Sequence, residues 1–140
     1  MSRADRITPE QKVPEYYSDI PMNLDKNPVT QQIDRIINEE CVSESIRNLV
    51  LTNVGERPYQ PWLGSKIKGS LFDNIDDPIT IENIKLSITD CIRDNEPRAQ
   101  NVGVEIFSNI DDNAIGAKVY YSLHNLTAIF IAEITIDRIR

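Results

Sequence analysis

The chain is poor in the residues that build most catalytic and metal centres: it has one histidine, His124, and two cysteines, Cys41 and Cys91. A lone histidine leaves no His–His ligand pair and no choice of base for a Ser-His-Asp triad, so His124 is read as a turn or surface residue. The cysteines stand 50 residues apart, without the CxxC spacing of a zinc or thiol-redox site, and both fall in helix-like segments. Buried free thiols are expected there, and no cofactor or metal. No run approaches the roughly 20 apolar residues that cross a bilayer. Met1–Val13 carries Arg3, Asp5, Arg6, Glu10 and Lys12 with no apolar stretch, so a signal peptide is not predicted. Positive charge is also in deficit. Fifteen Lys and Arg against 22 Asp and Glu give a net charge of −7 and a pI near 4.7. That balance argues against duplex DNA or an anionic membrane as partner and favours a neutral or basic protein. No basic-aromatic groove pattern appears either, so no nucleic acid is expected.

What is present suits one ordinary domain. A chain of 140 residues buries roughly 68% of its unfolded surface, enough for a core without metal or disulfide. The polar start, residues 1–14, reads as a flexible or partner-ordered arm, and 15–140 as a single α+β domain. A short strand is placed at Tyr16 to Ile20, and a brief extended piece near Ile33 to Ile36. Asn38 then offers an N-cap, with Glu39 and Glu40 in a first turn where the helix dipole favours negative charge. Val42, Ile46, Leu49 and Val50 recur on one helical face, and Gly55 is the expected C-cap. Between Glu56 and Asp77 prolines and glycines leave room for only a short helix, from about Ser65 to Phe72. Asp76-Asp77-Pro78 supplies a cap and first-turn proline for a second long helix. Its face is Ile81, Ile84, Lys85, Ile88, Cys91 and Ile92, and its end is near Asn95. Thereafter the period becomes two: Val102, Val104, Ile106; Ile115, Ala117, Val119, Tyr121, Leu123; Phe130, Ala132, Ile134, Ile136. These are three strands of an antiparallel meander, with turns at Asp111-Asp112-Asn113 and near His124-Asn125-Leu126. The predicted fold is therefore α+β: two main helices and a short one packed on a small C-terminal antiparallel sheet, preceded by an extended arm.

The junction at Glu96-Pro97-Arg98 concentrates chemistry. Proline stops the helix and forces the chain to leave extended, so Glu96 and Arg98 share a side. A carboxylate and a five-donor fork on one corner can pair with each other or grip a partner. The bland alternative is a helix stop with two solvated charges.

Two segments in fixed order resemble the baseplate wedge and sheath-initiator family of contractile-tailed phages, which is related to a baseplate component of type VI secretion systems. One segment is Gly55-Glu56-Arg57, Pro61, Gly64 and Leu71-Phe72; the other is Glu96-Pro97-Arg98 between a helix and a strand. Tyr17-Ser18-Asp19-Ile20-Pro21 and Asn27-Pro28 are similar to the N-terminal part of phage members. The chain departs from the family in having Pro58-Tyr59-Gln60 between Arg57 and Pro61, where an extra proline stiffens the loop, and Trp62 after Pro61, with the spacing intact.

The resemblance implies a structural virion component, assembled in the host cytoplasm, present in six copies around a tail axis. Its implied partners are other wedge proteins, the tail sheath protein and, as a further candidate, the tail tube. It implies that Glu96, Pro97 and Arg98 contact helices of neighbouring wedge subunits. It also implies that the last strand, Ile129, Phe130, Ile131, Ala132, Glu133, Ile134, Thr135 and Ile136, pairs with sheath subunits. Arg98→Ala is then expected to leave the domain folded but unincorporated, and deletion of Ile134 to Arg140 to block sheath growth alone.

Gly55-Glu56-Arg57 reads either as a helix cap with surface charges or as a brace tying the proline loop to the body. Tyr59 and Trp62 are expected to pack that loop onto the core, with a small binding patch as the alternative. The family is also often labelled lysozyme-like. A glycosidase needs two carboxylates flanking a cleft, one with a raised pKa. Glu39, Glu40, Glu44, Glu82, Glu96 and Glu105 are available, but no spacing singles out a pair, so the protein is expected not to be an enzyme. A transient assembly adaptor is the remaining alternative.

Overall fold

A computed structural model describes residues 14, 16–70, 77–109, 114–124 and 126–137. The element order is β1 (Ser18–Asp19), β2 (Ile36–Ile37), α1 (Glu39–Leu51), α2 (Ile67–Ser70), α3 (Pro78–Asn95), β3 (Ala99–Asn109), β4 (Ala114–Leu123) and β5 (Leu126–Asp137). β1 and β2 pair antiparallel, and the second sheet is an antiparallel meander in the order β3-β4-β5. The α+β expectation therefore holds. The expected arm, residues 1–14, lies outside the described residues except at Pro14, as do Leu71, Phe72 and the Asp111-Asp112-Asn113 turn.

α3 starts as the sequence predicts. Asp77 is the N-cap, its side chain accepts from the Ile79 N–H at 3.1 Å, and Pro78 occupies the first helical position, where no amide is needed. α1 differs at both ends. Asn38 stands at the N-cap position with φ 48° and makes no side-chain cap bond. Its amide instead accepts from the Tyr16 N–H at 2.9 Å and donates to the Pro14 carbonyl at 3.0 Å, so a buried asparagine ties the preceding segment to the helix start. Gly55 is not the C-cap. The helix ends at Thr52, and Gly55 lies in the following loop with φ 87°.

The apolar faces meet in one cluster. Val42, Ile46 and Val50 of α1, Ile84, Ile88 and Ile92 of α3, and Val119, Tyr121, Ala132 and Ile134 of the sheet are all buried within it. α3 packs on β3 and α1 on β5. Burying a single isoleucine of this kind stabilises the fold by about 1.5–3 kcal/mol. Cys41 and Cys91 are free and buried, as expected, and burial pushes the Cys91 thiol up to about 11.

Alternation places Ala132, Ile134 and Ile136 inward and Ile129, Ile131, Glu133 and Thr135 outward on β5. Because β4 is central, β5 is an edge strand, and so is β3. The two edges differ. β3 carries a register shift between Gln100 and Gly103, with Asn101 at φ 52°, and such a bulge blunts an edge against further pairing. β5 has its own register shift between Leu126 and Ile129, and from Ile129 to Asp137 it pairs with β4 without interruption.

Candidate functional site

The Glu96-Pro97-Arg98 corner forms where α3 ends. Glu96 is the C-cap residue, its amide still donating to the Ile92 carbonyl at 2.8 Å, and Pro97 then turns the chain into β3. The corner's charges are not two solvated groups. Glu96 is 3% exposed, and its carboxylate accepts from Arg98 Nε at 2.6 Å and from Arg98 Nη2 at 2.7 Å. Ser45 Oγ of α1 donates to the same carboxylate at 2.5 Å. Arg98 further directs Nη1 toward Cys41 Sγ at 3.6 Å and sits 5.5 Å from the Tyr17 ring centroid. The pair thus joins α3, α1 and the segment leading into β1.

Electrostatics follows from that geometry. Burial alone would raise the Glu96 pKa, but the hydrogen bonds from Arg98 and Ser45 and the guanidinium charge outweigh it, and the carboxyl is held below its ordinary value. The Arg98 pKa is raised in turn, first by its hydrogen bonds to Glu96. Glu96 is therefore an ionised structural carboxylate. The acid of a glycosidase needs the opposite shift.

Around the corner lies an open groove of about 820 Å³, to which Pro21, Glu44, Arg57, Glu96, Pro97 and Arg98 contribute. Pro97 is exposed on it, and Arg98, with a side chain 31% exposed, keeps part of its fork accessible. Sequence spacing suggested the corner but not Ser45, Cys41 or Tyr17. These partners come from 51, 57 and 81 residues away, beyond the reach of any local pattern.

In the Gly55-Glu56-Arg57 segment the side-chain contacts are those of Glu56. Its carboxylate accepts from the Asn53 N–H at 2.8 Å and meets Lys68 Nζ at 3.4 Å, and the backbone bond followed by Lys68 lowers its pKa. The Gly55 N–H donates to the Pro61 carbonyl at 2.7 Å. Gly64 has φ 126°, and a Cβ there would stand 2.5 Å from the Thr52 carbonyl oxygen, so only glycine closes the loop. Tyr59 and Trp62 do not pack onto the core as expected: they are 93% and 68% exposed. The loop is folded on its own main-chain bonds, and its aromatic side chains have no core to enter.

On β5, Ile129 and Ile131 are 75% and 54% exposed. Arg47 of α1 donates to the Glu133 carbonyl at 3.3 Å, and Glu133 also pairs with Lys118 at 3.1 Å. Arg47 was not legible as a site residue, since on the helix it is one more polar position. His124 is exposed, 3.0 Å from Gln100 Nε2. Among the described residues no His, Cys, Asp or Glu group could hold a metal ion, and no helix is long and apolar enough to cross a membrane.

The described residues thus bring together a buried ion pair at a corner, a strand edge with exposed apolar residues beside it and a hydrogen-bonded loop. Comparison then places the chain: residues 38–126 match the family model described as baseplate wedge protein gp25, and the chain belongs to that family. It is 27% identical over 109 residues to the baseplate wedge protein gp25 of Enterobacteria phage T4, covering 76% of this chain and 80% of that one. A chain in the cryo-EM structure of the anti-feeding prophage baseplate is 26% identical with a TM-score of 0.65, covering 79% of this chain and 88% of that one. The baseplate complex of the type VI secretion system contains a chain with a TM-score of 0.54 and 16% identity, over 69% of this chain and 92% of that one. A crystal structure described as a candidate tail lysozyme from Geobacter sulfurreducens aligns at a TM-score of 0.67 and 21% identity, over 75% of this chain and 96% of that one. The last two likenesses concern the fold alone.

Proposed function

We propose that this baseplate wedge component docks on neighbouring wedge proteins through the face around Glu96, Pro97 and Arg98 and starts sheath polymerisation by accepting a strand on β5. The observation that carries the reading is the length of the β5 edge, which pairs with β4 without interruption over Ile129–Asp137 and bears exposed Ile129 and Ile131 on its outward face. A strand edge offers unpaired N–H and C=O groups, and adding a strand satisfies them along the whole ladder. Arg47 and the Glu133–Lys118 pair sit midway along β5, so addition proceeds past a charged centre with apolar contact toward the Ile129 end.

At the corner, the internal Glu96–Arg98 pair presets the fork that remains exposed beside Pro97. A preset guanidinium loses little freedom on meeting helix-end carbonyls or a carboxylate of a wedge neighbour. The same pair supports the fold, so Arg98→Ala is a poor test of docking. Arg98→Lys keeps the charge beside Glu96 and removes the bidentate fork. The test is to supply variants to tails lacking the native chain. Arg98→Lys is expected to reduce wedge incorporation, and Ile129→Lys with Ile131→Lys to leave wedges intact but without sheath. Normal sheathed tails from the double variant would overturn strand initiation.

A non-enzymatic role accords with the family's baseplate name and with the buried carboxylate being held ionised by Arg98 and Ser45. The tail-lysozyme description of one fold relative keeps hydrolysis worth testing: incubation with purified cell wall is expected to release no soluble sugar. Stable presence in purified particles separates the wedge reading from a transient adaptor.

A further inference from the structure

The loop from Arg57 to Gly64 is a built surface. Within eight residues its main chain is fixed by Gly55 N–H to Pro61 carbonyl at 2.7 Å, Gln60 N–H to Arg57 carbonyl at 3.2 Å and Leu63 N–H to Gln60 carbonyl at 3.0 Å. Its base is closed by the Ser65 N–H on the Thr52 carbonyl at 2.8 Å and by Ser65 Oγ on the Val50 carbonyl at 2.6 Å. Pro58 and Pro61 stiffen it further. Yet this rigid loop serves no packing at its tip. It holds Tyr59 at 93% and Trp62 at 68% exposure, the latter being the only tryptophan in the chain.

Charge is distributed to match. The chain has 22 carboxylates, but none falls between Arg57 and Gly64. Glu56, just before, is turned back to Asn53 and Lys68. Arg57 is exposed and makes no ion pair among the described residues, so the loop presents one cation and two aromatic rings. Arg, Tyr and Trp are the residue types that most often anchor interfaces, and a loop already fixed in place loses little entropy on docking.

We propose that Tyr59 and Trp62 insert into an apolar cleft of a neighbouring baseplate protein, and that a carboxylate bordering that cleft receives Arg57. The frame of Gly55, Glu56, Pro61 and Gly64 is the mount, and the tip residues choose the partner. The site rests on the chain's place in a baseplate but on neither strand addition nor the corner. Arg57 also lines the corner groove, so the two surfaces adjoin and must be tested apart.

The experiment co-expresses native chain and variant in equal amounts in cells assembling tails, and measures their ratio in purified particles by mass spectrometry. Tyr59→Ala with Trp62→Ala is expected to be under-represented at least about tenfold, as loss of interface anchors requires. Its isolated melting temperature should stay within about 2 °C of native, because both side chains are solvated. Arg57→Ala should show a smaller bias of about three- to tenfold. A ratio near one for the double variant overturns the proposal, whatever Arg98→Lys does in parallel. So does an image of the baseplate in which Trp62 faces solvent or meets a basic surface.

Discussion

Removing the Arg98 side chain unpairs a buried carboxylate outside the hydrophobic core. Glu96 is 3% exposed, and two of the three side-chain donors to its carboxylate belong to Arg98. Arg98→Ala leaves the buried carboxylate with only Ser45 and the main-chain amide of residue 98, without a countercharge, and breaking one partner of a buried pair costs about 3–5 kcal/mol. Arg98 is itself 31% exposed, so water entering its space lowers the cost toward about 3 kcal/mol. For a chain of 140 residues, 1 kcal/mol corresponds to roughly 3–4 °C in melting temperature. Thermal denaturation followed by circular dichroism should therefore show a fall of about 10 °C for Arg98→Ala. Arg98→Lys, which keeps the charge, should fall by about half as much. A double change to Glu96→Leu with Arg98→Met removes both charges and should recover much of the loss. If Arg98→Ala melts within 2 °C of native, the corner is not a structural brace, and its charges are left for a partner alone.

The same pair sets an acid limit. The folded Glu96 pKa is depressed, so its stabilisation is complete above the ordinary glutamate value of about 4.3 and is lost as pH falls through the lower folded value. Native protein should lose more stability between pH 5 and about 3 than Glu96→Gln, compared by denaturant titration at each pH. Gly64→Ala should destabilise by about 1–3 kcal/mol, through its φ of 126° and the Thr52 oxygen 2.5 Å from the new carbon, read as a lower denaturant midpoint. Deleting Ile134 to Arg140 should unfold the domain rather than spare it, because Ile134 is 1% and Ile136 8% exposed in the core; an unchanged circular dichroism spectrum would contradict that placement of β5.

Much of the fold was legible because its signals are local. Asp77-Pro78 marks a helix start within two residues, and alternation through Val119, Tyr121, Ala132 and Ile134 marks strands whose faces the structure keeps. Boundaries failed where a side chain had a distant use. Asn38 looked like a cap, but its amide serves the backbone of Pro14 and Tyr16, and Gly55 looked like a helix stop but closes a loop on Pro61. The corner was legible as a stiff acid–base pair through the two-residue spacing imposed by Pro97. Its burial was not, since that depends on Ser45 and Cys41 arriving from α1. The exposure of Tyr59 and Trp62 was likewise hidden, because aromatic residues beside prolines pack inward in most loops, and only the closed hydrogen-bonded ring here turns them out.

Strand addition is the central claim, and a map of the assembled baseplate at side-chain resolution tests it most directly. The free edge of β5 is expected to carry a strand of a sheath subunit, joined by successive main-chain N–H to carbonyl bonds of about 2.9 Å, with Ile129 and Ile131 covered. A β5 edge open to solvent, or covered by a wedge protein while the sheath begins elsewhere, would contradict it.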